Sequence, residues 1–121
     1  MIRRILLVDD DHQFLETMSE LLRLRQYDVE SASDCLLAIE LLRSRKIDLL
    51  VTDIVMPNYD GLELIITVRE QFPKVKIIAI SGGGKIDKKT YLMMAKGLRA
   101  DAVLEKPFLC SELDDLIKSL D

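Results

Sequence analysis

The chain has 121 residues, 17 of them basic and 21 acidic, for a formal net charge of −4; 49% are hydrophobic and 31% charged. This balance predicts one globular domain with a core of its own, excludes disorder, and gives no electrostatic reason for DNA, RNA or an anionic membrane as main partner. A single histidine, His12, and two distant cysteines, Cys35 and Cys110, exclude a Cys/His zinc site and any triad or dyad needing a second histidine. The cysteines read as two reduced thiols.

The first apolar run, Ile5-Leu6-Leu7-Val8, predicts a strand. The N-terminus starts like a signal peptide, but Asp9-Asp10-Asp11 cuts the apolar stretch too soon, and no run approaches the ~18 residues of a membrane span. Leu15, Met18 and Leu22 then recur at helical spacing. A weak strand surrounds Val29, and Cys35, Ala38, Ile39 and Leu42 mark a second helix. Leu49-Leu50-Val51 predicts a third strand, followed by a helix on Ile65, Val68 and Phe72 that Pro73 stops. Ile77-Ile78-Ala79-Ile80 predicts a fourth strand, and Tyr91, Met94, Ala95 and Leu98 a fourth helix with Gly97 near its end. Ala102-Val103-Leu104 predicts the fifth strand. Leu113, Leu116, Ile117 and Leu120 predict the fifth helix, with Ser111 and Asp114 as its capping box.

Three of the runs are continuous rather than alternating, as for strands covered on both faces. Five strand–helix units predict a (βα)5 fold, a doubly wound α/β parallel sheet of five strands, and a barrel of eight units is excluded. Ligands of such sheets bind outside the carboxyl ends of the strands. Asp9, Asp10 and Asp11 follow the first strand, Asp53 ends the third, and Ser81 with Gly82-Gly83-Gly84 ends the fourth. Glu105, Lys106 and Pro107 follow the fifth.

Each residue alone has a plain structural reading. Asp11 suits a helix N-cap well, and Asp10 could serve as one; Ser81 suits a turn and Lys106 a solvated surface. Asp53 is harder to place so, because it puts a charge inside the apolar stretch Val51-Thr52-Asp53-Ile54-Val55. Together, Asp9, Asp10 and Asp53 would crowd like charges that a hard divalent cation such as Mg²⁺ relieves. Lys106 adds a point charge and Ser81 a hydroxyl. A carboxylate nucleophile, a metal, a lysine and a hydroxyl form a phosphoryl-transfer set.

Four stretches carry a family resemblance: Ile5-Leu6-Leu7-Val8-Asp9-Asp10, Asp53-Ile54-Val55-Met56-Pro57 with Asp60-Gly61, Ser81, and Lys106-Pro107-Phe108. In this order and spacing they resemble the receiver domain of bacterial two-component response regulators, including the stand-alone chemotaxis regulator. The resemblance implies a flavodoxin-like strand order 2-1-3-4-5 and a single receiver domain over residues 1–121. It implies a cytoplasmic phosphoacceptor switch rather than a metabolic enzyme. A histidine kinase or histidine phosphotransfer protein would donate the phosphoryl group. Asp53 would be the phosphoacceptor. Asp10, Asp53 and the Val55 backbone carbonyl would hold Mg²⁺ (or Mn²⁺), with Asp9 as ligand or through water. Lys106, Ser81 and Gly82 would bind the phosphoryl group, Ser81 also acting as the switch hydroxyl. Pro57, Gly61 and Pro107 would shape the turns, with a cis bond at Lys106-Pro107.

The sequence departs from the commonest pattern in places. Val103 stands where many relatives have a switch aromatic and has no ring to swing inward. Val55 and Gly83 flank the site and neither can orient a water, so a long-lived aspartyl phosphate is expected. Gly82-Gly83-Gly84-Lys85 lacks the spacing and hydroxyl of a P-loop and is expected to be a loop that rearranges beside Ser81. Leu92 and Met93 lie off the helical core stripe, near Lys85, Lys88, Lys89, Lys96 and Arg99. The resemblance implies that the fourth helix, fifth strand and fifth helix dock a downstream protein or a second copy, leaving a monomer or a phosphorylation-dependent homodimer. At this length the receiver fold would use the whole chain, so output is expected to pass through a partner. Two rivals remain. One is a pseudo-receiver acting as an interaction module. The other is a haloacid-dehalogenase-type phosphohydrolase, which would use Asp9 of Asp9-Asp10-Asp11 as its nucleophile.

Overall fold

The computed structural model describes residues 1–54, 61–81, 93, 97 and 99–121. Its strands are β1 (Arg4–Val8), β2 (Asp28–Ala32), β3 (Leu49–Asp53), β4 (Lys76–Ser81) and β5 (Ala102–Glu105). Its described helices are α1 (His12–Leu24), α2 (Cys35–Ser44), α3 (Gly61–Gln71) and α4 (Cys110–Leu120), the last being the fifth helix predicted from sequence. All strand pairs are parallel, in the order β2-β1-β3-β4-β5. The flavodoxin-like α/β topology is therefore present.

The continuous apolar runs sit in the middle of the sheet because both faces of it are covered. Alternate residues of one strand enter different cores. Leu6, Val8 and Leu50 pack with Ala38 and Leu42 of α2 and Leu64, Ile65 and Val68 of α3. Ile5, Leu7, Leu49 and Val51 pack on the other face with Leu15, Met18 and Leu22 of α1 and Leu113 and Ile117 of α4. Every residue of β3 is buried, whereas the edge strands β2 and β5 keep exposed positions, which is why their sequence signal is weaker.

Local chemistry sets the helix ends. Asp11 is the N-cap of α1, its carboxylate accepting from the backbone N–H of Gln13 and Phe14, both at 3.1 Å. Helix α3 stops at Gln71, two residues before Pro73. The predicted Ser111–Asp114 capping box is not formed. The N-cap of α4 is Leu109, whose backbone N–H donates to Glu112 Oε1 at 2.9 Å. Asp114 is instead buried, accepting from Tyr27 Oη at 2.6 Å and Arg25 at 2.9 Å. Met93 and Gly97, from the predicted fourth helix, are helical. The remaining residues of that prediction, Tyr91, Met94, Ala95 and Leu98, lie outside the described residues.

Candidate functional site

The parallel register delivers the carboxyl ends of β1, β3, β4 and β5 to one edge. Asp53 pairs across from Ile80, and Ser81 from Glu105. Backbone bonds extend this edge one residue further: Asp9 N–H donates to Ala32 O at 3.2 Å, and Lys106 N–H to Ser81 O at 2.8 Å. The side chains of Asp9, Asp53, Ser81 and Lys106 are thereby mounted on rigid strand ends rather than on loop tips.

Asp9 is 1% exposed. Its Oδ1 accepts the Asp11 backbone N–H at 2.9 Å, and its Oδ2 accepts the Lys106 ammonium at 2.5 Å. Burial pushes the Asp9 carboxyl above its ordinary pKa, and the Lys106 hydrogen bond offsets only part of that rise. Lys106 Nζ also lies 3.8 Å from Asp53 Oδ2. Oxygens of Asp9, Asp10 and Asp53 all come within 4.8 Å of one another, with Asp10 exposed and the other two buried. Asp11 stands apart, occupied as a helix cap.

Three carboxylates against one ammonium leave surplus negative charge at a solvent-accessible edge. All the side-chain donors are hard oxygens, so the set fits a Mg²⁺-sized cation and does not fit a soft or thiophilic metal.

Gly61 opens α3 directly beneath β3. A Cβ built there would strike the Asp53 carbonyl oxygen and lie 2.5 Å from Ile54 Cα. Glycine is thus required by close backbone approach, not by a left-handed conformation. The Thr52 hydroxyl donates to that same Asp53 carbonyl at 2.9 Å. The Lys106-Pro107 peptide bond is cis, as the resemblance implied. Ser81 is buried at the end of β4, and Val103 is half-buried against the core shared with α2 and α3. Val55, Met56, Pro57, Asp60, Gly82, Gly83, Gly84 and Lys85 lie outside the described residues.

Two aromatic residues stand at the site: Phe108, read in the sequence only as part of Lys106-Pro107-Phe108, and Phe14, which was not singled out. The Lys106 ammonium lies 4.0 Å from the centroid of the Phe14 ring, and Phe14 meets Phe108 edge-on at 5.9 Å. Position gave the available signal: Phe14 is in the first turn after the acidic loop, and Phe108 is two residues past the lysine.

A family model described as response regulator receiver domain matches residues 5–118. This chain belongs to that family. The receiver domain is 34% identical over 110 residues to response regulator MprA of Mycobacterium ulcerans, covering 91% of this chain and 46% of the relative. It is 33% identical over 117 residues to MprA of Mycobacterium leprae, covering 97% and 50%. The chain therefore spans about half the length of the curated relatives it matches.

Among solved structures, a CheY-like receiver domain protein from Methanospirillum hungatei superposes with a TM-score of 0.88 at 27% identity, covering 98% of this chain and 93% of that one. TrrA of Thermotoga maritima, solved in complex with Mg²⁺-BeF, gives 0.85 at 28% identity, covering 99% and 100%. Among the described residues, no helix of the receiver domain is long and apolar enough to cross a membrane.

Proposed function

We propose that this receiver domain is a Mg²⁺-dependent phosphoacceptor switch in which Asp53 takes a phosphoryl group from a phosphohistidine donor on a kinase or phosphotransfer protein. The observation that carries the reading is the convergence of Asp9, Asp10 and Asp53 within 4.8 Å, with Lys106 against two of them. The likeness to TrrA, whose structure holds Mg²⁺-BeF, supports it.

An Asp53 carboxylate oxygen attacks phosphorus, the bond from phosphorus to the donor imidazole nitrogen breaks, and the imidazole takes up a proton. Asp10, Asp53, the Val55 carbonyl and Asp9 would hold the cation, which when bound neutralises charge on the phosphoryl oxygens. Lys106, 3.8 Å from Asp53 and on a flexible stem, reaches a phosphoryl oxygen by a small movement. The Ser81 hydroxyl donates to another, with Gly82 beside it. Val103 has no ring, so the switch at Ser81 works without an aromatic swing at that position. The phosphorylated state then changes affinity for a partner at the face built by the predicted fourth helix, β5 and α4, where Met93 is exposed.

The hydrolase reading requires Asp9 as nucleophile. Both oxygens of Asp9 are already engaged, by Asp11 N–H and Lys106, and the residue is buried. Incubation with Mg²⁺ and acetyl phosphate, read by intact mass, tests the proposal. One phosphoryl group is expected on the parent and none on Asp53→Asn. An unreactive parent, or an equally reactive Asp53→Asn, overturns it.

A further inference from the structure

Lysine is a poor candidate for exact placement, because its ammonium rides on a four-carbon stem with many rotamers. In this domain the ammonium of Lys106 is enclosed by a closed circuit of contacts. Asp9 Oδ1 accepts the Asp11 N–H at 2.9 Å. Asp11 Oδ1 accepts the Phe14 N–H at 3.1 Å, fixing the first turn of α1. The Phe14 ring presents its face to Lys106 Nζ at 4.0 Å, and Lys106 returns to Asp9 Oδ2 at 2.5 Å. Phe108 packs on the Phe14 ring in an edge contact, with the rings at 79° and their centroids 5.9 Å apart.

We propose that Phe14 is a positioning residue for Lys106: its ring face holds the ammonium between Asp9 and Asp53, ready for the phosphoryl group that Asp53 receives. The ring attracts a cation without accepting the N–H bonds that the carboxylates or a phosphoryl oxygen need. It therefore orients Lys106 without competing for it. The consequence for reaction rests on the phosphoacceptor reading; the placement of Lys106 does not.

Two measurements test the proposal. In the metal-free protein, with ε-¹³C-labelled lysine, the Lys106 CεH₂ signal is expected upfield of the other lysines because it lies over the ring. Phe14→Leu removes that displacement and Phe14→Trp keeps it. With Mg²⁺ and acetyl phosphate, Phe14→Leu slows Asp53 phosphorylation roughly three- to tenfold, while Phe14→Trp stays within about twofold of the parent. Should the leucine variant not fold, Phe14→Met, also without a ring, repeats both measurements. A leucine variant reacting at the parent's rate, or a tryptophan variant as slow as leucine, overturns the proposal, the latter by reducing Phe14 to packing. A parent that takes no phosphoryl group overturns the phosphoacceptor reading instead. The Lys106 signal then decides the placement alone, its absence from the upfield region overturning it.

Discussion

The Lys106 ammonium is bound to Asp9 at 2.5 Å, and Asp53 lies beyond direct hydrogen-bond reach of it at 3.8 Å. Even so tight a partner leaves Asp9 with a raised pKa, because burial outweighs the pairing. A raised folded pKa means that the native state holds its proton more tightly than the unfolded chain does. Stability therefore falls as pH rises from the unfolded value of 3.8 through the higher folded one. Asp9→Asn removes the buried charge and is expected to raise the metal-free melting temperature at pH 7 by a few degrees, the shift produced by about 1 kcal/mol in a domain of this size. The same variant should bind Mg²⁺ more weakly. A thermal scan with chelator and a Mg²⁺ titration check both, and a lowered melting temperature would mean that the Lys106 pairing dominates.

Gly→Ala favours a helix interior by about 1 kcal/mol, and by less at a first helical residue such as Gly61. Here the new Cβ meets the backbone of Asp53 and Ile54, which cannot yield as a side-chain tip could. The variant is expected to lose about 1–3 kcal/mol net, the usual cost of overpacking, and to displace Asp53 at the end of β3. A denaturation midpoint equal to the parent's would refute the close-approach account.

The strand ends were readable because central parallel strands must be apolar on both faces, so a charge such as Asp53 at the end of Val51-Thr52-Asp53 stands out. The order of motifs then placed Asp9, Asp53, Ser81 and Lys106 on one edge. Contacts distant in sequence were not readable. The spacing of Ser111 and Asp114 matched a capping box, yet Tyr27 and Arg25, more than eighty residues earlier, draw Asp114 inward. With Asp114 so engaged, the helix is capped by a single bond, from the Leu109 N–H to Glu112 in the first turn. Phe14 escaped notice for a similar reason: the apolar stripe of α1 runs through Leu15, Met18 and Leu22, and nothing local says that an adjacent ring faces the lysine just past the carboxyl end of β5.

Asp114 yields a second pH prediction of opposite sign. The Tyr27 hydrogen bond, with help from Lys118 and Arg25, holds its carboxyl below the ordinary value despite burial. A lowered folded pKa gives stability that is present above 3.8 and lost as pH falls through the folded value. Asp114→Asn is expected to cost about 1–3 kcal/mol at pH 7, as for hydrogen bonds to a charged acceptor. The gap between variant and parent should narrow as pH drops below about 4. Urea unfolding at both pH values measures it, and a gap that is constant with pH would rule out the charge as its source.

The lifetime of the phosphorylated state turns on whether a side chain can hold the attacking water. Loss of the phosphoryl group from Asp53 requires a water in line with the phosphorus–oxygen bond that breaks, and orienting that water supplies much of the rate. The residues flanking the site in sequence are Val55, two beyond Asp53, and Gly83, two beyond Ser81. Neither side chain offers a donor or acceptor. On the phosphoacceptor reading, Val55→Asn introduces both at one position and is expected to speed self-dephosphorylation about three- to tenfold, a gain of roughly one well-placed hydrogen bond. Decay of the phosphorylated mass after removal of acetyl phosphate gives the rate. An asparagine variant that decays no faster than the parent would mean that access to phosphorus, rather than orientation of water, limits the reaction.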